Sequence, residues 1–264
     1  MPKSKERLGI EATLKNLVPT HGGKILYEMN QMDFKENWDL YTGGMCNGIS
    51  ILWLRHQHND IQAKAFPKVL DMRYREMRDR IKSIVGAEKE KELRKWSTGE
   101  TLSVDYDDVQ KRRDDPFTKV MNKMHVNGQV NPLYDKEAEF NRVKEIMRSY
   151  DMEFKDSDLF AGGFWHGHTD LGKFVGEKGT ASLLHAPKHA MAACNVLGKP
   201  TFFDPNFGCF EFMSASKMGA FLSAYFKISH LNKIYSGSDG QKKLAVKADR
   251  YKYTVTRTYD LTRR

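Results

Sequence analysis

Three residues have the chemistry and the setting to act together: Cys46, His189 and Asp204. Cys46 stands in YTGGMCNGISILWL, residues 41–54, behind two glycines and ahead of an apolar run with helical spacing. A thiol attacks a carbonyl carbon only as thiolate. A helix amino terminus lowers its pKa, because the unpaired N–H groups and the helix dipole favour the anion. Gly43 and Gly44 permit a sharp approach and leave the space above the sulfur clear for a substrate carbonyl. Alone, this stretch supports two readings, a reactive thiol or a buried structural one. A cysteine hydrolase also needs an imidazole to move the proton and an acid or amide to fix the ring. Of nine histidines, His189 has the best setting, since it opens the strand-like HAMAACNV. Asp204 closes the strand-like PTFFD ahead of the PNFG turn. Two antiparallel strands joined by LGKP would set His189 beside Asp204.

The elements that must hold these residues are read from periodicity and punctuation. A short helix is expected around Ile10 to Leu17, then a turn at HGG, 21–23. The cysteine helix runs from about Cys46 to His58, with Ile49, Leu52, Trp53 and His56 at helical spacing. A long amphipathic helix is expected from about Lys68 to Trp96. Residues 97–116, STGETLSVDYDDVQKRRDDP, lack periodicity and read as an exposed, charged insertion. A further helix is expected at Lys136 to Tyr150, before a Gly- and aromatic-rich loop at 158–172. From Thr180 onward, HAMAACNV, PTFFDPN and CFEFM read as antiparallel strands separated by turns. Helical spacing returns at 214–231, and alternation over 251–261 predicts a closing strand. Helices first and sheet later make the class α+β, with an N-terminal segment at 1–35 and one domain at 36–264.

Composition narrows the function classes. The chain has 264 residues, 40% hydrophobic and 29% charged, which is enough to build a core and excludes wholesale disorder. No apolar run reaches membrane-spanning length, and MPKSKERLGIEATLKNL is charged where a Sec-type signal peptide needs an apolar stretch. The three cysteines are too few for a disulfide framework, so Cys194 and Cys209 read as buried core thiols. Trp165-His166-Gly167-His168, with His185 nearby, lacks a completing cysteine or carboxylate at ligand spacing. It is read as packed surface or the rim of a cleft, and no metal or cofactor is expected. The net charge of +9 biases encounters toward acidic surfaces or anionic membranes. Basic and acidic residues are interleaved rather than gathered in a stripe, so nucleic acid is not the expected partner.

The order Cys, His, Asp, with GGMCNGISILWL, KHAMAA and FFDPNFGCFEF around the three, resembles the YopT and AvrPphB family of papain-fold cysteine proteases, which are bacterial virulence effectors. The resemblance implies a papain-like fold, with the cysteine at a helix amino terminus packed on an antiparallel sheet that carries the other two residues. It implies Cys46 as nucleophile, His189 as general acid and base, and Asp204 as the residue orienting the imidazole. It further implies a secreted effector acting in the host cell cytoplasm on a host protein. The charged amino end adds that no Sec-type leader is expected, and the net charge of +9 adds an acidic surface or a membrane-associated protein as the expected partner. No amide stands between Leu40 and Met45, where papain-like enzymes often place an oxyanion donor. Gln31 and Asn37 are the nearest upstream. The same triad can deamidate glutamine or transfer an acyl group, and a degenerate scaffold can serve as a binding module, so these are the alternatives to proteolysis.

Overall fold

The computed structural model describes residues 5–31, 46–57, 66–68, 70–71, 136–161, 167–186, 189–196, 198–228, 231, 235 and 244–254. The helix expected over 68–96, beyond residue 71, lies outside the described residues. So do the insertion at 97–116 and residues Gly43, Gly44, Asn37, His58, Trp165 and His166.

In chain order the elements are α1 (Lys5–Thr20), β1 (Gly23–Glu28), α2 (Cys46–His56), α3 (Lys136–Arg148), β2 (Met152–Ala161), α4 (His168–Val175), β3 (Thr180–Ala186), β4 (His189–Cys194), β5 (Thr201–Asp204), β6 (Gly208–Phe212), α5 (Ala215–Tyr225) and β7 (Ala245–Tyr253). Among the described residues, seven strands form one sheet in the order β1-β6-β5-β4-β3-β7-β2, every pair antiparallel. Helices cover both faces, and side-chain alternation along each strand sorts residues between two cores. On the first face, Leu183, Ala192, Cys194 and Phe203 pack with Trp53 of α2 and Met147 of α3. On the second, Leu184, Met191 and Phe202 pack with Leu14 of α1, Leu171 of α4 and Phe221 of α5.

Helix α2 is buried without a break from Gly48 to Leu54, as expected of a helix apolar on most sides and enclosed by the core. Trp53 stacks on Phe203 of β5, centroids 5.0 Å apart and rings 6° from parallel, while Phe66 meets Phe203 edge-on at 5.6 Å. These contacts hold α2 across the middle of the sheet. Helices α4 and α5 approach so closely that a Cβ added to Gly172 would lie 2.0 Å from the Gly219 Cα.

Several expected boundaries change. Helix α1 extends beyond Ile10–Leu17 at both ends, because Ile10, Leu14 and Val18 all recur on its buried face. The segment read as a loop at 158–172 begins inside β2 and ends inside α4. Strand β2 escapes the apolar pattern because, among the described residues, it is a sheet edge paired only with β7, so Lys155, Asp156 and Asp158 can stay at the surface. Helix α4 starts where the Asp170 carboxylate accepts the Gly167 N–H at 3.3 Å. Among the described residues, strand β1 is the other edge, paired only with β6, so strands are not confined to the second half of the chain. The helix expected over 214–231 ends at Tyr225, and β7 begins at Ala245, ahead of the expected 251.

Candidate active site

Strands β4 and β5 run antiparallel with Ala192 opposite Phe203. That register brings the start of β4 to the end of β5. His189 shares its strand face with Met191, and Asp204 shares its face with Phe202, so both point to the second face. There His189 Nε2 donates to Asp204 Oδ1 at 2.9 Å, and both side chains are buried.

Cys46 arrives from the first face. The β4–β5 ladder involves only Ala192 to Cys194. At Ala190 the N–H donates instead to Cys46 Sγ at 3.3 Å, and the carbonyl accepts Ser50 Oγ at 3.4 Å. The first turn of α2 is thus docked on the main chain next to His189. As a residue Cys46 is partly exposed, whereas Cys194 and Cys209 are buried.

The electrostatics separate these thiols. Burial pushes Cys194 up to about 12 and carries Cys209 well above the ordinary thiol range. Burial would also raise Cys46, but its hydrogen bond to His189, the imidazolium charge and the Ala190 N–H outweigh it and hold the thiol below its ordinary value. For His189, burial favours the neutral ring. The charge of Asp204, the hydrogen bond to it and the Cys46 thiol prevail and lift the imidazole to about 10. Asp204 is fully buried, which favours the acid form, yet the charge and hydrogen bond of His189, together with further donors, hold it below the usual carboxylate range. These directions favour a thiolate beside an imidazolium backed by a carboxylate.

Those further donors were not legible as site residues. Tyr225 at the end of α5 and Tyr235 donate to Asp204 Oδ2 at 2.6 and 2.8 Å, and the Asn206 N–H donates to Oδ1 at 2.7 Å. Asn206 carried a signal, since an aspartate accepting the N–H two residues on is a common turn motif and DPN has that form. The tyrosines carried none, because only the tertiary fold brings them to β5. Gln31, a possible oxyanion amide, donates instead to Asn206 Oδ1 at 2.7 Å. His168 is buried with Nε2 at 3.0 Å from the Leu244 carbonyl. Burial lowers its pKa.

A family model, Peptidase_C58, described as Yersinia/Haemophilus virulence surface antigen, matches residues 174–246. The chain resembles this peptidase family. The matched span holds His189, Asp204, Tyr225 and Tyr235, and Cys46 lies outside it. A crystal structure of the Pseudomonas avirulence protein AvrPphB aligns over 81% of this chain and 97% of that one, at 16% identity and a TM-score of 0.43. No curated protein matches the chain.

Proposed function

We propose that this chain is a papain-like cysteine peptidase, a virulence effector acting on a host protein in the host cytoplasm, with Cys46, His189 and Asp204 as its catalytic triad. The peptidase domain is assigned to 36–264, with 1–35 as an entry segment whose α1 and β1 are packed on it. The observation that carries the reading is the setting of His189, hydrogen-bonded to Asp204 and followed in the chain by Ala190, whose N–H donates to the Cys46 thiol at 3.3 Å.

The chemistry follows from that order. The Cys46 thiolate attacks the scissile carbonyl carbon, forming the C–S bond and moving an electron pair to oxygen. The Cys46 N–H at the helix start donates to that oxyanion. The His189 imidazolium passes its proton to the departing amine nitrogen as the C–N bond breaks, leaving a thioester. Neutral His189 then takes a proton from water. The resulting hydroxide attacks the thioester carbon, and the thiolate leaves. Asp204 keeps the ring oriented and the imidazolium stable throughout.

A chloroacetamide or epoxide probe tests this assignment without a known substrate. Peptide mapping is expected to find the label on Cys46 in preference to Cys194 and Cys209, and labelling is expected to collapse in His189→Ala. Equal labelling of the three thiols would contradict it.

A further inference from the structure

Asp204 does more than meet His189. Each of its oxygens accepts two hydrogen bonds: Oδ1 from His189 and the Asn206 N–H, Oδ2 from the Tyr225 and Tyr235 hydroxyls. Tyr235 also stacks on the His189 ring, centroids 4.2 Å apart and planes 15° from parallel. Its hydroxyl in turn accepts Asn206 Nδ2 at 3.2 Å. Both tyrosines are buried, and Asp204 is fully so. The ionisable groups coupled to Asp204 include His189 from β4, Cys46 from α2, Tyr225 from α5, and Tyr235.

From this geometry we infer that Tyr225 and Tyr235 are positioning residues for the proposed reaction, setting the strength and direction of the Asp204–His189 interaction. The inference rests on the reading of Cys46 as nucleophile. A carboxylate with two donors on each oxygen cannot rotate without breaking several bonds. Its negative charge is also shared among donors rather than concentrated on the imidazolium. The stack by Tyr235 covers one face of the ring and blocks tipping toward that side, while the Asp204 bond fixes its direction. A phenol differs here from a mere space-filler. It tunes how firmly His189 keeps its proton, which must be tight enough to maintain the thiolate and loose enough to release to a leaving amine.

The tuning has a sign. Replacing a tyrosine by phenylalanine keeps the ring and removes one donor, so more of the carboxylate charge falls on His189. The imidazolium then holds its proton to higher pH. The less shared Asp204 charge also opposes the nearby thiolate more strongly, so the acid edge, where Cys46 ionises, moves up as well.

The experiment is the rate of Cys46 alkylation by iodoacetamide against pH, read by mass spectrometry on the intact full chain, for the parent, Tyr225→Phe, Tyr235→Phe and the double variant. The parent is expected to show a reactive plateau beginning below the ordinary thiol range, with a second rise where the imidazolium deprotonates. In each single variant both steps are expected to move up by about half a pH unit, and further in the double variant. Tyr253→Phe is the control, a buried hydroxyl that donates to the Leu54 carbonyl at 3.0 Å, and it should leave the profile unmoved. If the double variant does not fold, the single variants carry the test. A parent plateau with unshifted variant profiles overturns the positioning role alone. A parent in which Cys46 titrates as an ordinary thiol overturns the nucleophile assignment and the inference together.

Discussion

Cys46 differs from the other two cysteines in its neighbours rather than in its chemistry. An unassisted buried thiol is pushed up, as Cys194 and Cys209 show. His189 and the Ala190 N–H reverse that sign at Cys46. Removing the imidazole in His189→Ala should therefore return Cys46 to the ordinary thiol range or above. Alkylation at neutral pH should fall sharply, since less of the thiol is then ionised. Asp204→Asn should act on the other limb. It removes the charge that lifts His189 to about 10, so the alkaline step should move down, opposite in sign to the tyrosine variants. A downward shift in the pH profile of alkylation checks this, and an unmoved alkaline step would contradict it.

Elements place these residues through a few close contacts. The Gly172–Gly219 crossing leaves no room for a methyl group, so Gly172→Ala should separate α4 from α5. Overpacking of this kind costs roughly 1–3 kcal/mol, readable as a lower denaturant midpoint. Phe203 lies under both Trp53 and Phe66. Phe203→Ala should cost about 3–5 kcal/mol and loosen α2, slowing Cys46 labelling as well. Full stability with unchanged labelling would show that α2 is held elsewhere. At this scale the sequence was uneven. The central strands β4, β5 and β6 were legible because both faces are buried and their residues are apolar almost throughout. Edge strands β1 and β2 pair on one side only and carry polar residues such as Lys24, Asp156 and Asp158, so apolar runs do not mark them. Helix α4 was missed because eight residues are too few for a clear period.

The whole molecule joins two cores across one sheet, and the candidate site lies where they meet. Cys46 comes with the first core, while His189 and Asp204 face the second. The adjacency of His189 and Asp204 was legible because β4 and β5 are joined by a short turn. The tyrosines behind Asp204 were not, since they come from α5 and the chain beyond it. The fold also depends on a buried carboxylate away from the site. Asp249 is buried beside His185 Nε2 at 3.2 Å and Lys247 Nζ at 2.8 Å. Burial would raise its pKa, but hydrogen bonds to these partners bring it down to about 2. A carboxylate depressed in the fold stabilises it above the unfolded pKa, near 4, and that stability is lost as pH falls toward the folded value. Asp249 and Asp204 should both contribute, so thermal midpoints should decline steadily between about pH 4 and pH 2. Asp249→Asn should be less stable at neutral pH by about 1–3 kcal/mol and should show a flatter acid decline.

The most direct measurement for the whole account compares the protein amino termini of host cells exposed to this chain with those of cells exposed to its Cys46→Ala form. New termini that appear with the parent and vanish with the variant are the predicted result. Identical sets of termini from two equally folded proteins, or a mass change on a target without a new terminus, would contradict a peptidase built on Cys46.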